Sequence, residues 1–399
     1  MEASRENGSE AGSADIVVVG DGVAANGALI TLGAAAPGLD ILRVAPFDGE
    51  ERSGERGRGI GEHLSAPGVA VLRELGLEAS FRADGHLETH ASYSAWGSPL
   101  LQERNALMDP HAAGWSIDRG RFEAGLRREA RARSRSRFLQ GAVAGARDDE
   151  AGVVLTLRGG DHVRASFVID AGGRRAPVAR HLTCRRRLDR QIALYDIFEQ
   201  VDREVEPTAG PMVEAMPDGW LYSALRPDRR LVVLWFTDGD LLGNPGADEP
   251  RRAVAFREAV GASLYTRKRV ETAGFDLDLS ELDVPGAVDA GTRLNESVVG
   301  PAWAAVGDAA GAFDPLSSHG LSAALWTGRQ AALALVRRRA GDETALQDYG
   351  NAFARGFERY QAQRRALYRA ERRFDGPFWR RRQQVEVLKS KPDAPSITG

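Results

Sequence analysis

The chain has 399 residues, 43% of them hydrophobic and 27% charged, enough for a large buried core in one big domain or two closely joined ones. A net charge of -3 gives no global attraction to nucleic acid, and the single cysteine, Cys184, excludes an internal disulfide framework and a cysteine-rich metal site. No apolar run approaches the ~20 residues that span a bilayer, and the polar, acidic start "MEASRENGSEAGSAD" reads as neither a secretory signal nor a transit peptide, so a cytoplasmic protein with no membrane span is expected.

After a loose tail over residues 1–13, "ADIVVVG" (14–20) is a continuous β-branched run bounded by glycine, which predicts a strand buried on both faces. "DGVAANGALITLGAAAPG" predicts a helix that stops at Pro37 and Gly38, and "LDILRVA" (39–45) predicts the next strand, completing a βαβ unit. The first turn reads Gly20-x-Gly22-x-x-Ala25. Between a strand and a helix, Gly20 permits the tight turn, Gly22 lets a pyrophosphate approach backbone N–H groups, and Ala25 allows close helix–strand packing. An ordinary βα turn is the plainer reading. The acid expected at the end of the second strand, to hold a ribose 2′-hydroxyl, is missing. Ala45 and Pro46 stand there, leaving Asp48 or Glu50 as substitutes.

Residues 50–61 are rich in Gly and Arg and predict a loop, and "APGVAVLRELGL" predicts a short helix with proline at its start. Alternating segments over 87–102 predict strands. In "SIDRGRFEAGLRREARAR" either Ser116 or Asp118 precedes Glu123, the pattern of a helix start. "VVLTLRGGDHVRASFVIDAGG" predicts a hairpin that ends in a buried strand over 167–170, and from roughly 185 to 284 the periods look β-like. "VGDAAGAFDPLSSHG" (306–320) is a second glycine-rich cradle aimed into a helix start, and residues 321–382 read as helices. The expected fold is α/β, with a doubly wound cofactor domain over 14–84, 113–184 and 286–330. A β-rich substrate domain is inserted over 85–112 and 185–285, helices follow over 331–387, and 388–399 is a second tail.

A nicotinamide cofactor needs only the first cradle; FAD is longer and gains from a second one for its ribitol and ring. "AVGDAAGAFDPLSSHGLSAAL" resembles the second FAD motif of the flavoprotein monooxygenase superfamily. "GIGEHLSAPGVAVLRELGL", "IDRGRFEAGL", "VIDAGGRRAPVAR", "GWLYSALRPDRRLVVLWFTD" and "RRFDGPFWRRR" resemble segments of its branch of tryptophan halogenases and geranylgeranyl reductases. Within that branch the chain is most similar to the halogenase-like flavoproteins that mature quinone cofactors of amine and amino-acid oxidases. The resemblance implies a glutathione-reductase-like FAD domain and FAD reduced by NADH or NADPH, directly or through a separate flavin reductase. It implies that Gly307 and Pro315 shape the second cradle and that Asp308 bonds a ribityl hydroxyl. N–H groups from Ser318 through Gly320 to Leu321 would face N1 and the C2 carbonyl, where reduced flavin gathers negative charge. Arg119 would approach the flavin or its phosphates.

For such a family, reduced FAD and oxygen give a C4a-hydroperoxide whose distal oxygen passes to an electron-rich ring. A halogenase would add a lysine after the glycine-rich loop and a Trp-x-Trp-x-Ile-Pro segment. Here no lysine precedes Lys268, and "AGWSIDR" (113–119) has neither a second Trp nor a Pro. Both departures point to hydroxylation of an aromatic substrate, a small molecule or a protein-bound tryptophan. The alternatives are a small-aromatic halogenase, an FAD-dependent reductase and a non-catalytic flavin-binding assembly protein. Glu62, His63 and His319 are the acid–base candidates, each with a plainer role in shaping loops or capping backbone, while Asp314 before Pro315 reads as a turn former. His86, His90, His111, His162 and His181 lack metal-ligand spacing. Residues 355–382 hold ten arginines against Glu358, Glu371 and Asp375, either a solvated face or a dock for an acidic protein partner.

Overall fold

Five parallel strands form the centre of the computed structural model, which describes residues 10–47, 60, 62–109, 113–242, 249–276 and 285–383. Their spatial order is Trp303–Ala305, His162–Asp170, Glu10–Val19, Ile41–Ala45 and Arg137–Gln140. The strand Glu10–Val19 has partners on both sides, which is why its run of Ile and Val is sealed from solvent. It begins at Glu10, inside the predicted tail, because Gly12 and Ser13 already pair with Val163 and Arg164. The predicted hairpin is present: Gly152–Leu157 runs antiparallel to His162–Asp170.

The first helix, Val23–Ala35, is buried along Val23 to Leu32 and carries no polar face. A helix apolar all round must be covered all round, and two helices do this, Arg119–Ser134 and Gly320–Arg339. Contact with the latter is close enough that a Cβ at Gly328 would stand 2.2 Å from the Ala24 carbonyl oxygen. Asp118, of the two candidates, caps Arg119–Ser134 by accepting from Arg121 N, while Glu123 turns instead to Arg119.

A second sheet has seven strands, in the order Gly286–Asp289, Gln191–Phe198, Leu231–Asp238, Gly219–Leu225, Met212–Met216, Ala91–Ala95 and Gln102–Asn105. Alternation along its strands divides two cores. Leu194, Leu221, Val233 and Trp235 pack against Phe256, Val260 and Val270. Ala193, Trp220, Leu234 and Phe236 face the other way, toward Tyr368, Phe378 and Trp379. The first of these packings adds two helices to the β-like reading of 185–284, since Phe256, Val260 and Val270 lie on helices Glu249–Ala262 and Tyr265–Thr272. The sheet also runs past residue 285, to Asp289.

The C-terminal helices are Gly320–Arg339, Ala345–Ala370 and Pro377–Gln383. Among the described residues no helix is long and apolar enough to cross a membrane. Asp48, Glu50, His111, residues 1–9 of the first tail, the second tail and all of the 50–61 loop except Ile60 lie outside the described residues.

Candidate functional site

The carboxyl ends of the parallel strands converge on the first cradle. Gly20 sits at φ +122°, and a Cβ there would stand 2.4 Å from the Ala171 carbonyl oxygen, so only glycine makes this turn without strain. Gly22 caps the first helix with no side-chain bond to its amides, and nothing lies within 4 Å of the place a Cβ would take. Asn26 Nδ2 ties the turn by donating to the carbonyls of Asp21 and Gly22, each at 3.0 Å. The result is an open helix N-terminus over a glycine, suited to an anion.

The second cradle leaves the strand Trp303–Ala305 and is fixed by Gly307 N donating to Thr327 Oγ1 at 2.8 Å. Asp314, fully buried, accepts from Leu316 N at 3.0 Å, which makes it the turn former the sequence implies. Its carboxylate does more, accepting from Arg364 Nε at 2.8 Å and Tyr368 Oη at 2.9 Å. His319 then caps Gly320–Arg339 with no side-chain bond to that helix, a second open N-terminus.

Both cradles open into one cavity of about 720 Å³. Gly22, Glu62, His63, Arg119, Gly307, Asp308, Pro315, Ser318, Gly320 and Leu321 all line it. Gly20 and Ala25 do not line it; Ala25 is buried in the helix behind the turn. His319 does not line it either, being exposed with Nδ1 against the Ser317 carbonyl. The Glu62 segment is joined to the second cradle by a 3.0 Å contact between Ser65 Oγ and Ser322 Oγ.

Glu62 receives Arg119 Nη1 on both carboxylate oxygens at 2.7 Å, while Arg119 Nε donates to Glu123 at 2.7 Å. Burial alone would ease the proton off Arg119, but Glu62 and Glu123 together outweigh it and hold the guanidinium firmly charged. His63 lies over Gly114, where a Cβ would come within 2.1 Å of its Cε1, and its Nε2 sits 3.0 Å from Thr89 Oγ1. Burial pushes its pKa down to about 4, so the imidazole is neutral at neutral pH.

The far wall belongs to the second sheet. Trp220 and Phe236 are directly paired across strands and stack with centroids 3.9 Å apart, beside half-buried Tyr222. Phe313 adds an aromatic ring from the second cradle. Near Asp308 the lining is rich in arginine: Arg174, Arg175 and Arg293. Arg174 Nε approaches the Asp308 carboxylate at 3.3 Å, and Arg185 Nη2 donates to the Asp308 carbonyl at 2.7 Å. Burial, then the nearby Arg293 charge, lowers the Arg185 pKa. Sequence reasoning passed over these arginines and the aromatic wall, although "GGRRAP" and "GWLYSALRP" hold several of them.

These residues fit FAD: two uncapped helix N-termini and two glycine cradles share one cavity. The model of the family described as tryptophan halogenase matches residues 71–225 and 273–393. The chain belongs to the tryptophan halogenase family. This FAD-dependent oxidoreductase is 25% identical to the putative FAD-dependent oxidoreductase LodB of Marinomonas mediterranea, over 82% of the chain and 88% of LodB. It is 29% identical to the menaquinone reductase of Mycobacterium tuberculosis, over 86% and 82% of the two chains. Among solved structures, it superposes on the peptidyl tryptophan dihydroxylase QhpG, essential for tryptophylquinone cofactor biogenesis, with a TM-score of 0.72 and 25% identity, covering 95% of this chain and 80% of QhpG.

At the end of the second strand this flavoprotein does have Ala45 and Pro46 in place of the ribose-binding acid. The ionic contact of that strand is instead Arg43 with Asp21 of the first cradle, and Arg43 also lies 4.6 Å above the Phe138 ring.

Proposed function

We propose that this flavoprotein hydroxylates an electron-rich aromatic ring, and that the ring is a tryptophan carried by a polypeptide. FAD, when bound and reduced, supplies two-electron chemistry with dioxygen. Gly22 and the amides that follow it hold the pyrophosphate, Asp308 takes a ribityl hydroxyl, and the N-terminus at Ser318–Leu321 stabilises negative charge on the reduced ring. The aromatic wall of Trp220, Tyr222, Phe236 and Phe313 holds the substrate ring and keeps water out. Neutral His63 accepts the proton the substrate loses, and Arg119 fixes Glu62 beside it. NADH or NADPH supplies the electrons, directly or through a separate flavin reductase. An acidic protein bearing the tryptophan docks on the exposed arginines of Ala345–Ala370, among them Arg355, Arg359 and Arg365.

The observation that carries this reading is the cavity lining itself: aromatic rings share it with a neutral histidine, and no lysine lines it among the described residues. The likeness to QhpG, a peptidyl tryptophan dihydroxylase, supports the choice of a protein-bound ring. The test incubates the FAD-loaded, reduced protein with tryptophan peptides under oxygen, with and without chloride and bromide, and weighs the products. Peptide gaining oxygen regardless of halide is the expected result. A halide-dependent product mass, or alkene or quinone reduction that proceeds without oxygen, overturns it.

A further inference from the structure

We propose that Trp220, Tyr368 and Trp96 form a path that carries a one-electron vacancy from the flavin cavity to the protein surface, draining oxidising equivalents that miss the substrate. The path rests on FAD occupying the cavity and does not depend on which substrate is oxidised. Trp220 lines the cavity and is 1% exposed. Its indole Nε1 donates to Tyr368 Oη at 3.2 Å, and the Trp96 ring lies 6.4 Å from Trp220 and 5.7 Å from Tyr368, centre to centre. Trp96 is half-buried, so the path reaches solvent there, with Nε1 anchored on the Leu367 carbonyl at 2.7 Å. Indole and phenol are readily oxidised by one electron, whereas the phenylalanines packed around them, Phe236 and Phe378, are not. Neighbouring aromatic rings in edge or face contact exchange an electron faster than a stranded radical damages its surroundings.

The proton is provided for. A tyrosine that gives up an electron must also release its phenolic proton, and Tyr368 Oη already donates to the Asp314 carboxylate at 2.9 Å. In the balanced sequence, Trp220 gives one electron to an oxygen-centred radical in the cavity, of the hydroxyl or peroxyl class, which becomes the corresponding anion. Tyr368 refills Trp220 while its proton moves to Asp314, then Trp96 refills Tyr368 as the proton returns. A soluble reductant of the thiol or ascorbate class finally donates one electron to Trp96. Overall the oxidant gains one electron, the soluble reductant loses one, and the protein is unchanged. The adjacent Trp220 and Trp96 rings also allow a direct step that moves no proton.

The test uses the full chain loaded with FAD, free of substrate and oxygen. A blue-light flash makes bound flavin a one-electron oxidant, and transient absorption follows oxidised tryptophan in the presence and absence of ascorbate. The expected wild-type signal is long-lived and shortened by ascorbate. Trp96→Phe loses the long-lived, ascorbate-sensitive part, because the vacancy is then confined to buried Trp220, Tyr368 and Trp379, out of reach of ascorbate, and recombines, and Trp220→Phe loses the whole signal by cutting the path at its origin. Circular dichroism and bound-flavin absorbance establish that each variant is folded and loaded. A signal in folded, loaded Trp96→Phe that matches wild type, or a wild-type signal indifferent to ascorbate, overturns the path. Should Trp96→Phe not fold, full retention of the signal in Trp220→Phe overturns it equally. Wild-type protein that takes up no FAD would show this in the spectrum before any flash, and would overturn the cofactor fit and the path with it.

Discussion

At His63 a single ring sets both the protonation state of the site and part of the pH dependence of the fold. The folded protein takes a proton on this ring only below about 4, whereas the unfolded chain takes it below the ordinary 6.5. The stabilising contribution is therefore complete above 6.5, is lost as the pH falls from 6.5 to about 4, and changes no further below that. The shift corresponds to roughly 2–3 kcal/mol after allowing for the solvent that reaches the cavity. Thermal melts should show His63→Gln losing less stability across this window than the wild type; parallel curves would refute the neutral-ring account. Gly20 makes a different demand. At its φ of +122° a methyl group would press on the Ala171 carbonyl, so Gly20→Ala should cost about 1–3 kcal/mol. Because the strain falls on the turn below the pyrophosphate, FAD titration should show weakened binding alongside the lower urea midpoint.

Between elements, the contact that positions both cradles is the crossing of Val23–Ala35 with Gly320–Arg339 at Gly328. Alanine favours a helix over glycine by about 1 kcal/mol, yet its methyl group here would stand 2.2 Å from the Ala24 carbonyl oxygen. Overpacking a tight contact costs about 1–3 kcal/mol, and backbone cannot step aside as a flexible side chain can, so crowding wins. Gly328→Ala should lower stability and, by spreading the two helix N-termini, weaken FAD binding as well. An unchanged FAD affinity would mean the cradles are set independently of this crossing. Elements of this kind are readable from sequence in proportion to how local their signals are. The first cradle was legible because Gly20, Gly22 and Ala25 fall within six residues between a β-branched run and an alanine-rich one. The strands at Gln191–Phe198, Gly219–Leu225 and Leu231–Asp238 were legible from their alternation. Helix Glu249–Ala262 was not, because its buried stripe is only Ala253, Phe256 and Val260 within a charged segment. Asp314 was half legible. Its turn bond to Leu316 is two residues away, but its partners Arg364 and Tyr368 lie fifty or more residues along the chain, where no local pattern announces them.

Across the whole molecule, the helix Ala345–Ala370 is the brace that holds the two sheets around the cavity. Near its start Tyr349 Oη donates to the Ala305 carbonyl of the main sheet at 2.7 Å, and near its end Tyr368 meets Trp220 of the second sheet. Between them Arg364 donates to Asp314 in the cradle and to Asp189, just ahead of the second sheet, both at 2.8 Å. Asp314 is fully buried and Arg364 nearly so. Removing one partner of a buried ion pair leaves an uncompensated charge and costs about 3–5 kcal/mol, so Arg364→Met should be among the most damaging single changes away from the cradles' glycines. Asp314→Asn keeps an Oδ1 acceptor for Leu316 N and presents Nδ2 to Tyr368 Oη, which can accept from it, while removing the charge. The double variant Arg364→Met/Asp314→Asn should therefore be clearly more stable than the sum of the two single losses, since of the two carboxylates that Arg364→Met strands, the fully buried one is gone. Urea unfolding of the four proteins measures this coupling. Additive losses would show that Arg364 contributes by packing alone and that the brace does not act through the buried charge of the second cradle.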